Sequence, residues 1–125
     1  MAGTDYDYKA MDEVVAFDFD GVVHRNGKPW KGVAVIEDVP NPGIPELFRK
    51  LKASGYQIVI HTCRALTPDG RRAVVHWLTA NRMIELIDNV TAVKPIARCY
   101  VDDRAIRFEG CEGLLNAIEQ FGKGE

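Results

Sequence analysis

The run Val14-Val15-Ala16-Phe17-Asp18-Phe19-Asp20-Gly21 constrains this chain more than any other stretch. From Glu13 to Phe19 it is short, apolar and rich in β-branched residues, which predicts a buried strand. Yet it ends in two acids one residue apart, and Gly21 breaks it. Side chains alternate along a strand, so Asp18 and Asp20 share one face and Phe19 points to the other. Acids in so apolar a context are rarely left unpaired. The run therefore asks for a partner for its carboxylates.

The rest of the chain supplies a frame. Residues 22–42 are rich in Gly, Pro and polar residues, with Asn26-Gly27 as a turn signal. Val33-Ala34-Val35-Ile36 predicts a short strand within them. Ile44, Leu47, Phe48 and Leu51 recur at helical spacing, with Pro45 near the start and Gly55 past the end. Tyr56 to His61 reads as a second strand. Thr67-Pro68-Asp69 opens a second helix with Val74, Val75, Trp77 and Leu78 on its apolar side. A third short strand is expected around Val90 to Val93 and a fourth from Arg98 to Asp102. A last helix carries Leu114, Leu115, Ile118 and Phe121. Strands alternating with helices predict an α/β fold, Rossmann-like, with a mainly parallel sheet and helices on both faces. No linker divides the chain, so one domain is expected over residues 11–125, after a flexible polar arm over residues 1–10.

Composition excludes several classes. A net charge of -2 gives no basic excess, so no clear nucleic-acid patch is expected. An anionic substrate must be held by a local arrangement. The 3 cysteines, Cys63, Cys99 and Cys111, are odd in number and form no CxxC pair, which argues against a disulfide framework or a zinc knuckle. Free thiols fit a reducing, cytoplasmic setting. The N-terminus lacks the basic start and apolar run of a signal peptide. No apolar run approaches the roughly 20 residues that span a bilayer, so no membrane partner is expected.

Four strand ends carry polar residues where an apolar run stops: Asp18 with Asp20, Thr62, Lys94, and Asp102 with Asp103. In open α/β sheets the ligand crevice lies at the carboxyl ends of the strands, so these groups can converge there. Two carboxylates 4 Å apart repel by roughly 4 kcal/mol at an effective dielectric near 20. Four of them require protons or cations. Lys94 supplies one positive charge. A hard divalent ion, Mg²⁺ above all, suits Asp18, Asp20, Asp102 and Asp103 together with phosphate oxygens. A carboxylate can also act as a nucleophile and form an aspartyl-phosphate.

These segments resemble the four motifs of the haloacid dehalogenase (HAD) superfamily. Val14 to Val23 looks like the first motif, an apolar strand followed by DxDG. Ile58-Val59-Ile60-His61-Thr62 resembles the second, a strand ending in Ser or Thr. Lys94-Pro95 resembles the third and Tyr100-Val101-Asp102-Asp103 the fourth. Order and strand context agree over roughly residues 13–108. The resemblance implies an Mg²⁺-dependent phosphatase of small phosphorylated substrates. Asp18 is then the nucleophile, and Asp20 the general acid and later the general base. Thr62 donates to a phosphate oxygen, Lys94 balances charge, and Asp102 and Asp103 bind the metal. The backbone N–H groups of Phe19, Asp20 and Cys63 complete an anion cradle. An acid at Asp20 favours phosphoryl transfer over dehalogenation. Segments 22–42 and 63–93 are too short for a folded cap, so the implied form is cap-less, its site open unless residues 22–42 or a second copy in a homo-oligomer covers it.

Arg64, two residues after Thr62, is placed to reach a phosphate or a second anionic group with its planar fork. His24 and Arg25 could contact substrate or could be surface residues of the Asn26-Gly27 turn. Cys63 has no base placed beside it by sequence and reads as packing rather than as a nucleophile, though it joins Thr62, Arg64 and Lys94 as a substrate contact through its backbone. Two other functions stay open: a phospho-receiver-like signalling module, against which the order of Thr62 before Lys94 argues, and a catalytically idle HAD-like binding domain.

Overall fold

The computed structural model describes residues 11–123. The arm expected over residues 1–10 lies outside them. Four strands form one parallel sheet: β1 (Val14–Asp18), β2 (Gln57–His61), β3 (Asn89–Thr91) and β4 (Cys99–Val101), in the order β3-β2-β1-β4. Helix α1 (Ile44–Ala53) connects β1 to β2, and α2 (Pro68–Ala80) connects β2 to β3. Helix α3 (Leu114–Gln120) follows β4. The chain is thus an α/β protein with a four-stranded parallel sheet and three helices, compatible with a Rossmann-like fold.

The helix starts follow from local chemistry. Pro45 and Pro68 sit in the first turns, where a missing N–H costs nothing. The Thr67 hydroxyl accepts from the Gly70 N–H and caps α2. The start of α2 also packs hard against the turn before it. A Cβ at Gly70 would collide with the backbone carbonyl of Arg64.

The core lies on one face of the sheet. Val15 and Phe17 of β1, Ile58 and Ile60 of β2 and Val90 of β3 pack with Ile44 and Phe48 of α1 and Val74, Trp77 and Leu78 of α2. Ala16 and Val59 alternate to the other face. They are buried but stand outside this cluster. Two right-handed crossovers running in one direction place both helices on the same face. Helices were expected on both faces, but α3 has no buried residue. Leu115, Ile118 and Phe121, which the sequence assigned to this helix, are exposed, and Phe121 stands just past its end.

The strand expected at Val33–Ile36 does not form. Its β-branched pattern is genuine, but no neighbouring strand takes up its hydrogen bonds. The carbonyls of Gly32, Val33 and Val35 turn inward and accept from Nη1 of Arg64 at 3.2, 2.8 and 3.1 Å. The two ends of segment 22–42 are tied to each other. Asn41 Nδ2 donates to the Val22 carbonyl at 2.7 Å, and the Arg25 N–H donates to the Val39 carbonyl at 2.9 Å.

Candidate functional site

Parallel register decides what meets at the carboxyl edge of the sheet. Phe17 pairs with Val101, so Asp18 and Asp102 are the next residues on adjacent strands. Asp18 pairs with His61 on its other side, and Thr62 follows. Side-chain alternation turns Asp18 away from Phe17 and the helix-covered core. Oxygens of Asp18, Asp102 and Asp103 all lie within 4.8 Å of one another. Asp102 and Asp103 are exposed, whereas Asp18 is half-buried.

This crowding changes the acidity of Asp18. Its pKa is raised from 3.8 to about 7, first by burial and next by the Asp102 charge, with a hydrogen bond to Asp103 and the Asp103 charge raising it further. The Phe19 N–H, 2.9 Å from Oδ1, acts in the opposite sense. Gly21 makes room for the cluster. Its φ is +89°, and a Cβ there would overlap the carboxylate of Asp103. Each of the three carboxylates offers one oxygen to this cluster, which could hold a metal ion without specifying which one.

The other expected residues fall into two groups. Thr62 is buried, and its Oγ1 accepts from the Arg64 N–H at 3.2 Å. It caps the 3₁₀ turn Cys63–Leu66 and keeps its own hydroxyl proton available to an acceptor. Cys63 is exposed, and its thiol is free. The Lys94 ammonium stands 4.3 Å from the centre of the Tyr100 ring. Tyr100 pairs with Ala16, so that ring lies on the Asp18 face of the sheet.

Asp20 and Arg64 are placed differently from what the sequence suggests. Asp20 is outside the acidic cluster, although it was expected among the metal ligands. Its carboxylate turns to Arg64, whose Nε and Nη2 donate at 2.8 and 3.0 Å, and to Nδ1 of His24 at 3.0 Å. Arg64, expected as a substrate contact, is 1% exposed on its side chain. Beyond Asp20 it serves the three carbonyls of residues 32–35, and the Trp30 ring covers its guanidinium at 4.4 Å. A planar fork that satisfies a carboxylate and a carbonyl cluster at once is what makes arginine tolerable in a core.

His24 and Asp38 complete this network. His24 is buried, not a surface residue of the turn. The Asp38 N–H donates to Nε2 of His24 at 3.2 Å, so the ring proton sits on Nδ1 and points at Asp20. The ring stacks on Phe19 and meets Trp77 edge-on. Asp38 accepts from Arg25 and from the N–H groups of Gly27 and Val39. The Arg25 guanidinium, with the Val39 N–H behind it, holds the Asp38 carboxyl well below the usual carboxylate range. Trp77 Nε1 donates to the Asp38 carbonyl at 2.8 Å. Nothing in the sequence singled out Asp38. Its one local cue is an acid beside Val39 and two residues from Ile36 in a segment otherwise read as strand and loop.

Among the described residues no helix is long and apolar enough to cross a membrane. No family model matches this chain, and no curated protein matches it.

Proposed function

We propose that this chain is a cap-less, HAD-like phosphomonoester hydrolase that works through an aspartyl-phosphate on Asp18. The observation that carries the reading is the meeting of Asp18 with Asp102 and Asp103 across adjacent parallel strands, at the edge where such sheets bind ligands. The motif resemblance and the open carboxyl edge of the sheet agree with it.

In this reading an Asp18 oxygen attacks phosphorus and displaces the leaving group. Thr62 donates its hydroxyl proton to a phosphoryl oxygen, and the N–H of Cys63 is available beside it. Lys94, on the Asp18 face, balances the charge of the transferring group. Asp18, Asp102 and Asp103 are the residues that would hold Mg²⁺, which supplies neutralisation of carboxylate and phosphate charge when bound. Water then attacks the aspartyl-phosphate and restores Asp18. Positioning and charge stabilisation do most of the work in such transfers.

Hydrolysis of an aryl phosphate, with and without Mg²⁺, tests the reading on the parent and Asp18→Asn. Mg²⁺-dependent turnover that disappears in the variant supports it. Turnover unchanged in Asp18→Asn overturns the mechanism. A long-lived acid-labile phosphate on Asp18 without turnover points instead to a receiver-like module.

A further inference from the structure

We infer that Trp30 is a stacking platform for the leaving group, and that the substrates of this site are nucleoside monophosphates. The inference rests on the phosphatase reading of Asp18 and extends it to a substrate class.

Trp30 is 56% exposed, and one face of its ring lies 4.4 Å from the central carbon of the Arg64 guanidinium. Exposed apolar side chains are common, and exposure alone assigns nothing. This one is held still. The Arg64 side chain beneath it is buried, forked onto Asp20, and bonded to the carbonyls of Gly32 and Val33 just past the indole. Before the indole, Asp38 accepts from Arg25 and from the Gly27 N–H. The loop that carries Trp30 is thus tied on both sides, although no helix or strand runs through it. A ring ordered before its ligand arrives gives up little freedom on binding. Its second face, turned away from Arg64, is the one a ligand can cover.

Reach selects the ligand. The guanidinium that supports the indole also grips Asp20, two residues from Asp18. The platform therefore stands a carboxylate and a guanidinium away from the strand end that carries the nucleophile. A ring bonded directly to a phosphate oxygen, as in an aryl phosphate, ends short of it. A nucleoside monophosphate carries a ribose between phosphate and base, and the ribose spans that gap. Bases of every kind stack on aromatic side chains. Lys28 lines the same cleft as Trp30 and brings an ammonium there. An ammonium has only donors, and the carbonyls and ring nitrogens of purines and pyrimidines accept them, whereas a hydrocarbon ring does not. The reaction is the hydrolysis already described: nucleoside monophosphate and water give nucleoside and inorganic phosphate.

The test compares kcat/KM for adenosine and uridine 5′-monophosphates with that for glycerol 1-phosphate, with Mg²⁺ present, in the parent and in Trp30→Ala. The inference expects the parent to prefer the nucleotides. It expects that preference to fall roughly 10–100-fold in Trp30→Ala, the range for removing one base stack, and to survive in part in Trp30→Phe. Fluorescence gives a second readout that needs no turnover. Adenosine 5′-monophosphate should quench the indole emission of Asp18→Asn, and the quenching should vanish when Trp30→Phe is added, since Trp77 is buried. If Trp30→Ala does not fold, the quenching pair decides. Glycerol 1-phosphate cleaved as well as the nucleotides, a preference that Trp30→Ala leaves intact, or quenching that persists without Trp30 overturns the inference and leaves the phosphatase reading standing. No turnover of any of these substrates, with no acid-labile phosphate on Asp18, overturns that reading and this inference with it.

Discussion

Arg64 grips Asp20 with a two-point fork, Nε to Oδ2 at 2.8 Å and Nη2 to Oδ1 at 3.0 Å, across 44 residues of sequence. The pair joins the turn after β2 to the turn after β1. Through the carbonyls of residues 32, 33 and 35 it also fixes a loop with no strand or helix of its own. One buried side chain thus does for segment 22–38 what a sheet ladder does elsewhere.

Arg64→Met removes that fork and leaves Asp20 and three inward carbonyls short of donors. Breaking one side of a buried ion pair costs about 3–5 kcal/mol. Urea unfolding should show a loss of that order. Arg64→Lys should recover only part of it, because an ammonium cannot present a planar fork. A loss under about 1 kcal/mol, the range of exposed pairs, would show that the clamp does not hold the fold.

Trp77→Phe keeps the aromatic contact with Phe19, whose ring lies 5.1 Å away, but deletes the hydrogen bond to the Asp38 carbonyl. A buried acceptor left unsatisfied costs about 1–3 kcal/mol. Thermal unfolding should fall accordingly, and hydrogen exchange should quicken at Asp38 and Val39, which depend on that anchor. Wild-type stability in Trp77→Phe would show that the indole N–H is dispensable.

The sheet and the acidic edge were readable because they depend on local periodicity. Apolar runs marked β1, β2 and β4, helical spacing and Pro/Gly punctuation marked α1 and α2, and the acids stood where the runs stopped. The Arg64 clamp was not readable. An arginine two residues after a strand carries the same local signal whether it faces a phosphate or a core. What buried it was the inward turn of carbonyls at residues 32–35, a tertiary arrangement with no period. The same arrangement undid the strand expected at Val33–Ile36. Propensity favoured extended backbone there, but a strand needs a ladder partner, and Arg64 took the carbonyls instead. His24 was open between substrate contact and surface for a related reason. Its burial depends on Trp77 and Asp38, which are distant in sequence. The last helix was readable from its spacing and forms as α3, but spacing alone does not say whether another layer covers its apolar residues.

Gly21→Ala tests the tight approach of the first turn to Asp103. The substitution adds strain at φ +89° and places a methyl where the Asp103 carboxylate sits. Displacing a residue that sets metal-ligand positions typically costs about 10–100-fold in affinity. Mg²⁺ titration by calorimetry should show a loss in this range, with turnover reduced in parallel. Unchanged Mg²⁺ affinity would remove Asp103 from the ligand set.

The charge on Asp18 predicts how stability responds to pH and metal. Its pKa in the folded protein, about 7, lies above the ordinary 3.8. Between those values the folded state holds more protons than the unfolded state, so unfolding free energy falls as pH rises. Metal-free protein should therefore lose stability from about pH 4 to pH 7 through this group. Asp38 acts in a separate window: its carboxyl is held low, so its contribution is present above the ordinary carboxylate range and is lost only as pH falls below it. Asp18→Asn keeps an acceptor for the Phe19 N–H and removes the charge. It should flatten the decline between pH 4 and 7 and melt above the parent at pH 8 without metal. Its turnover should drop at least about a thousandfold, as expected when a nucleophile is removed. Mg²⁺ competes with protons for the same oxygens, so it should raise the parent's melting temperature more at pH 8 than at pH 6 and have little effect on the variant. Melting curves at these pH values, with and without Mg²⁺, decide the matter. A parent whose metal-free stability is flat from pH 4 to 7 would show that Asp18 is not under the electrostatic load that its neighbours imply.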